Sequence, residues 1–355
     1  MIEICSVDEC TGCGVCAGVC PKVCIALRPD EMGYIHPVID QSKCIDCKLC
    51  ARTCPNNIKI DFKEPQKCYA AWSIDSENRN SSSSGGIASV LSRNVIEAGG
   101  IVYGAVGYGA GNVEHQRAET VDETLKFKKS KYVQSTITPR VYRQIKQDLQ
   151  DKKCVLFIGT PCQTAAVKSA NSKAENLVCV DIICHGVPSQ QILKDNIKFV
   201  LGKDADKVTS FSTRDNEEFN LTLFEGNKIL YREPYYKDGY SYGFQYALFY
   251  RESCYQCHYA QPKRQSDLTI GDFWGLGETQ YPHKKVSVIL VNSQKGLDLL
   301  KQCSAELFLD ERTVKEAVAG NTQLQHPSSK HKYYNLFRKI YKKSGYQKAI
   351  KVSLI

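Results

Sequence analysis

Two cysteine runs dominate the N-terminal end. The first reads Cys10-x-x-Cys13-x-x-Cys16-x-x-x-Cys20-Pro21, and the second reads Cys44-x-x-Cys47-x-x-Cys50-x-x-x-Cys54-Pro55. Three thiolates at two-residue gaps wrap a tight loop around three corners of an iron–sulfur cube. The fourth follows a longer gap and points away, so it serves the other cube. The spacing predicts one 4Fe–4S cluster on Cys10, Cys13, Cys16 and Cys54. It predicts a second on Cys44, Cys47, Cys50 and Cys20. Gly12, Gly14, Ala17, Gly18 and Ala51 are small enough for backbone N–H groups to approach the sulfides, and each proline turns the chain after a fourth ligand. Zinc also takes paired Cys-x-x-Cys ligands, but an internal repeat of four cysteines at this spacing speaks for iron. Cys5, Cys24 and Cys68 fall outside the pattern and read as ordinary thiols.

A third group is more scattered: Cys162, Cys184 and the pair Cys254-x-x-Cys257. They invite a further cluster. Buried packing is the plain alternative for Cys162 and Cys184, and zinc or a redox dithiol for Cys254 and Cys257. Cys154 and Cys179 lie in apolar strands and read as core; Cys303 sits on a helix.

Eighteen cysteines in 355 residues would suit a disulfide framework only in a small secreted domain. The opening Met1–Asp8 has neither the basic nor the apolar region of a secretory signal. No apolar run nears the roughly eighteen residues of a membrane span. The expected setting is the cytoplasm, where thiols stay reduced. The formal charge is +9, but each four-thiolate cluster would subtract about two charges. No nucleic-acid recognition motif accompanies the basic balance, so no nucleic-acid partner is expected.

The elements that must position these groups fall into parts. Residues 1–64 form the cluster module, and Pro65 ends it. Strand-like and helical stretches then alternate: strand 68–73, a polar loop ending in Ser84-Gly85-Gly86, helix 87–98, strand 101–106, helix 139–149, strand 154–158, strand 177–183. Two strand–loop–helix units in succession predict a parallel sheet with ligand-binding loops at its carboxyl edge. Short alternating strands follow from 209 to 231, with turns at Asp215–Asn216 and Gly226–Asn227. Residues 301–355 read as a helical, basic extension, either a solvated helix with one packed face or a contact for a partner or an anionic surface.

The second part resembles the beta subunits of coenzyme F420 hydrogenases and dehydrogenases. The resemblance rests on Ser84-Gly85-Gly86, Lys131-Tyr132-Val133-Gln134-Ser135, Gly159-Thr160-Pro161-Cys162-Gln163, Cys184-His185-Gly186, Cys254-x-x-Cys257 and Gly271-Asp272-Phe273-Trp274-Gly275, in the family's order over residues 66–300. It implies a bound FAD, an extra 4Fe–4S cluster and flavin-mediated exchange of electrons with a substrate. The whole chain is thus expected to be an α+β ferredoxin-like N-terminal domain followed by an α/β (mixed sheet) flavin-binding domain. Ser84, Gly85 and Gly86 open a helix whose N–H groups can hold a phosphate. Lys131 and Tyr132, with Gln134 and Ser135, are the other candidates for the flavin. His185 and Asp272 are candidate proton carriers, Asp272 because an apolar setting would raise its pKa.

The expected function is an iron–sulfur flavoprotein oxidoreductase acting on a coenzyme F420-like, other small-molecule or carbohydrate-linked substrate. Its electrons would be exchanged with a redox partner protein such as a ferredoxin. The alternative is a non-catalytic electron-transfer subunit feeding a partner enzyme.

Overall fold

The structure, a computed structural model, describes residues 3–215, 218–277, 281 and 285–354. Asn216, half of one expected turn, lies outside them.

The cluster module is built from two short helices, Val15–Gly18 and Leu49–Thr53, and a hairpin of β1 (Ile25–Pro29) and β2 (Ile35–Ile39) paired Ile25 to Ile39. Apolar residues are few here. Cys16, Cys24, Cys50 and Cys54 pack with Ile4, Ala17 and Ile25 as its small core.

The body is an eight-stranded mixed sheet. Its strands are β3 (Lys67–Ser73), β4 (Ile101–Tyr108), β5 (Asn112–Ala118), β6 (Val155–Gly159), β7 (Leu177–Ile182), and three strands that follow an intervening insert. The insert is an antiparallel three-stranded sheet of β8 (Ser210–Asp215), β9 (Glu218–Glu225) and β10 (Lys228–Pro234). The sheet resumes with β11 (Leu268–Asp272), β12 (Ser287–Val291) and β13 (Leu307–Arg312), giving the order β13-β3-β12-β11-β7-β6-β4-β5. β4, β6, β7 and β11 run parallel in the middle. β5 on one side and β12, β3 and β13 on the other each pair antiparallel with their neighbours. The central runs are apolar throughout, as strands covered on both faces must be; Val155, Leu156, Phe157 and Val180 are fully buried.

Helix Ile87–Glu97 buries Ile87, Val90, Leu91 and Val95 against this sheet. On the other face, helix Pro139–Gln150 starts at Thr138, whose side chain accepts from the Val141 N–H, with Pro139 in the first turn. That helix joins the two parts. Tyr142 donates its hydroxyl to the Cys13 carbonyl at 2.9 Å, and Gly18 lies against the Tyr142 ring.

The C-terminal segment departs from the expected helical extension. Residues 307–312 of it form β13, an edge strand of the main sheet, and Phe308 stacks on Trp72 with ring centroids 4.0 Å apart. Helices Tyr334–Ser344 and Tyr346–Ser353 bury Phe337, Tyr341, Tyr346 and Ile350 in one core with Ile192 and Ile197. The apolar spacing was visible, but a six-residue strand of mixed polarity carries no periodic signal. Among the described residues no helix is long and apolar enough to cross a membrane.

Candidate functional site

The N-terminal cysteines gather into two groups, and each group draws from both runs. Cys20, Cys44, Cys47 and Cys50 line one hollow of about 330 Å³ together with Cys24. In the other, the Cys16 thiol is raised by burial and then by Cys13, Cys10 and Cys5 beside it, while Cys5 hydrogen-bonds with both Cys10 and Cys54. Cys5 and Cys24 are therefore not the detached thiols the pattern suggested. Cys24 Sγ stands 3.4 Å from Cys20 Sγ. Cys154 is also corrected: it precedes β6 and is exposed.

The repeat extends to backbone conformation. Gly12 and Gly14 take φ of +67° and +79°, and their counterparts Asp46 and Lys48 take +52° and +58°. The left-handed turn thus recurs at equivalent places in both loops, with side chains tolerated in the second.

The third cysteine group is assembled from three separate segments. Burial raises the Cys184 thiol well above its ordinary range, and Cys254, Cys162 and Cys257 add to the effect as close neighbours. Cys162 lies in the first turn of helix Pro161–Ala170, at the carboxyl end of β6, and Cys184 follows β7. Tyr259 is buried between this group and the first loop, with Cys162, Cys13, Cys257 and Cys54 around it. Among the described residues no three His, Cys, Asp or Glu side chains converge on one point tightly enough for a lone metal ion. A cube makes a different demand, since it spreads four thiolates over four irons.

A cleft with an interior of about 1960 Å³, counting the part open to solvent, sits at the carboxyl ends of the parallel strands. Ser84, Gly86, Lys131, Tyr132, Ser135, Cys184, His185 and Asp272 all line it. Gly86 precedes helix Ile87–Glu97, and no side chain among the described residues caps that helix start. Its first N–H groups are consequently available to an anion. The Lys131 ammonium donates to the carbonyls of Phe127 (2.8 Å) and Lys128 (2.7 Å). Loss of water around it lowers its pKa from the ordinary 10.5 to about 7. Tyr132 stacks on Phe244 at 4.5 Å and 10°. Gln163 Nε2 donates to both the carbonyl and hydroxyl oxygens of Ser135.

Three expectations change. Gly85 lies behind the lining, its N–H donated to Ser287 Oγ at 2.9 Å. Gln134 is in the seam between the two parts, where its Nε2 donates to the Thr11 carbonyl at 2.8 Å. Asp272 is half of an ion pair: Arg214 Nη1 donates to its Oδ2 at 2.6 Å, and the guanidinium lies over Phe219 and Trp274. Reading Asp272 as a proton donor assumed apolar surroundings, and a partner 58 residues away is invisible in a local motif. His185 faces the cleft with Nδ1 3.0 Å from the Gln323 amide. A donated amide hydrogen there leaves the ring proton on Nε2. Arg214, Phe219, Phe244 and His115 also line the cleft and belong to no motif.

A ferredoxin-like module with two four-thiol groups, docked on a mixed sheet whose carboxyl edge holds a large cleft, defines an iron–sulfur α/β protein. Residues 152–317 match the family model for the C terminus of the coenzyme F420 hydrogenase/dehydrogenase beta subunit, and residues 9–58 match a 4Fe–4S dicluster domain. Residues 152–317 thus belong to that beta-subunit family, and the dicluster domain precedes them at the N-terminal end.

Three curated relatives align over short stretches. An uncharacterized ferredoxin of Methanocaldococcus jannaschii is 41% identical over 61 residues, which is 17% of this chain and 78% of that protein. The Rpo3 subunit of a DNA-directed RNA polymerase of Methanosarcina mazei is 39% identical over 64 residues, 18% of this chain and 23% of that protein. The I subunit of an NADH-quinone oxidoreductase of Pelobacter propionicus is 37% identical over 57 residues, 14% of this chain and 31% of that protein. Among solved structures, a chain of the F420-reducing NiFe hydrogenase complex from Methanosarcina barkeri has 18% identity and a TM-score of 0.49, covering 83% of this chain and 94% of that one.

Proposed function

We propose that this protein is a flavin- and iron–sulfur-dependent oxidoreductase, with a third 4Fe–4S cluster on Cys162, Cys184, Cys254 and Cys257 and FAD in the cleft. One observation carries the reading: Cys184 lines the cleft while its companions Cys162 and Cys257 adjoin Tyr259 on the side of Cys13. Clusters held at these cysteines would give electrons a continuous route to the cleft.

The residues suit a dinucleotide. The uncapped helix start at Gly86 and the hydroxyls of Ser83 and Ser84 would hold the pyrophosphate. Lys131 would supply a cation, and a phosphate beside it would restore the proton that burial disfavours. Tyr132 on Phe244 offers a flat wall for an aromatic ring. A bound flavin accepts electrons singly and delivers them in pairs, which suits a site between clusters and an organic substrate. His185 Nε2 is placed to pass a proton at the cleft, and Arg214, fixed by Asp272, to orient an anionic or hydroxyl-bearing substrate. Coenzyme F420-like and carbohydrate-linked molecules both fit that description. A cytoplasmic setting with a ferredoxin-like donor or partner subunits belongs to the same proposal.

The test is a count of iron, sulfide and flavin on anaerobically prepared protein. About twelve iron atoms and one flavin per chain are expected. Protein that binds no flavin after reconstitution would remove the enzyme reading.

A further inference from the structure

Arg251 is 2% exposed, and all its nitrogens are engaged. Nη1 donates to the Cys10 carbonyl (2.8 Å), Nη2 to the Ile35 carbonyl (2.6 Å) and Nε to Gln134 Oε1 (3.2 Å). Each of these acceptors is neutral. Among the described residues no carboxylate pairs with it. A guanidinium taken out of water without a counter-charge is strongly unfavourable. Thiolates of a bound cluster would supply the missing anion. The thiols of Cys10, Cys162 and Cys254 all lie within the reach of its charge.

The surroundings hold it there. The Arg251 N–H donates to the Val187 carbonyl at 3.0 Å, three residues past Cys184, and the Cys254 N–H donates to the Arg251 carbonyl at 2.9 Å. Ser253 donates its hydroxyl to the same Cys10 carbonyl. A Cβ on Gly12 would stand 2.5 Å from Arg251 Nη2, so the first cluster loop approaches the guanidinium as closely as its backbone allows.

We propose that Arg251 is a positioning residue that acts as the shared counter-charge of two iron–sulfur centres. One is held by the Cys10 loop; the other is the centre at Cys162, Cys184, Cys254 and Cys257. Reduction adds negative charge to a cube, and a fixed cation in a poorly screened interior stabilises the reduced form. Arg251 therefore raises both potentials. The second half rests on the proposed third cluster; the first half needs only the N-terminal pair.

Arg251→Met and Arg251→Lys, prepared anaerobically as full chains, test this by iron and sulfide counts and by redox titration followed with spin resonance. Arg251→Met is expected to keep its iron. The potentials of the two adjoining centres should fall by about tenfold in reducibility, 59 mV for a one-electron couple. The cluster in the Cys44 hollow, which Arg251 does not line, should stay in place as the internal control. Arg251→Lys should recover most of the shift. Unmoved potentials in an iron-replete Arg251→Met overturn the proposal, as does a lysine variant shifted as far as the methionine one. If Arg251→Met sheds iron, Gln134→Leu takes its place as the control. It removes a neutral partner and keeps the charge, so its potentials should stay in place, and a fall of about 59 mV there also overturns the proposal. Cys257→Ala separates the two readings. Unchanged iron in that variant removes the third cluster, while the shift at the Cys10 loop still decides the role of Arg251.

Discussion

At Lys131 the ammonium is turned into the cleft wall, with the backbone carbonyls of Phe127 and Lys128 as acceptors. Its pKa of about 7 lies below the 10.5 of an exposed lysine. Between those values the unfolded chain holds a proton that the folded protein lacks. Stability of the flavin-free protein therefore rises with pH across that window, and the burial penalty is full below about pH 7. Lys131→Met should flatten this dependence, as measured by denaturant unfolding from pH 6.5 to 9.5. It should also weaken retention of a pyrophosphate-bearing ligand by roughly tenfold, the loss of one charge-assisted contact. Cys20 offers a second check. Because it shares a hollow with Cys44, Cys47 and Cys50, Cys20→Ser should damage the cluster of that loop and spare the one on Cys10, Cys13 and Cys16. Low-temperature spin resonance that shows the opposite loss would refute the crossed arrangement.

Elements carry the next set of constraints. The two cluster loops share one backbone path, yet only the first has glycine at both left-handed positions. A side chain in that region costs about 1–2 kcal/mol, and glycine's extra unfolded freedom offsets about 0.5–1 of it. Lys48→Gly should then stabilise the second loop by up to about 1 kcal/mol, seen as slower bleaching of its cluster in air. Gly18 argues the reverse case. A Cβ there would sit 2.5 Å from the Tyr142 ring, so Gly18→Ala must push helix Val15–Gly18 off helix Pro139–Gln150. A loss of about 1–3 kcal/mol is expected for such overpacking, measured as a lowered Tm. An unchanged Tm would mean that the seam yields.

Over the whole molecule, the C-terminal segment is structural. Truncation after residue 300 would strip β13 from β3 and remove Phe337, Tyr341 and Tyr346 from a shared core. The shortened chain should be insoluble or lack near-ultraviolet dichroism; a soluble chain with native dichroism would contradict this. The same segment ties the two parts together, since Lys342 pairs with Glu31 of the cluster module at 2.6 Å. Charge also balances at this scale. Three clusters at about −2 each would bring the formal +9 to about +3, which turns a basic-looking sequence into a nearly neutral protein.

What the amino-acid sequence determined by itself was whatever depends on short spacing. Cysteine gaps of two and three residues encode the loops that wrap a cube, and 3.6-residue and unbroken apolar patterns encode helices such as 87–97 and strands such as β6. The sequence also marked residues around the cleft, because Ser84, Lys131, Tyr132, Cys184 and His185 fall in short motifs shared with the beta-subunit family. Tertiary structure alone decided who meets whom. It paired Asp272 with Arg214, drew Gln134 from the cleft to the seam, brought Cys5 and Cys24 beside the cluster ligands, and set Arg251 between two cysteine groups. Ion pairs, buried counter-charges and edge-strand pairing join residues tens to hundreds of positions apart. Their energies depend on distance and on exclusion of water, and neither quantity exists until the chain has folded.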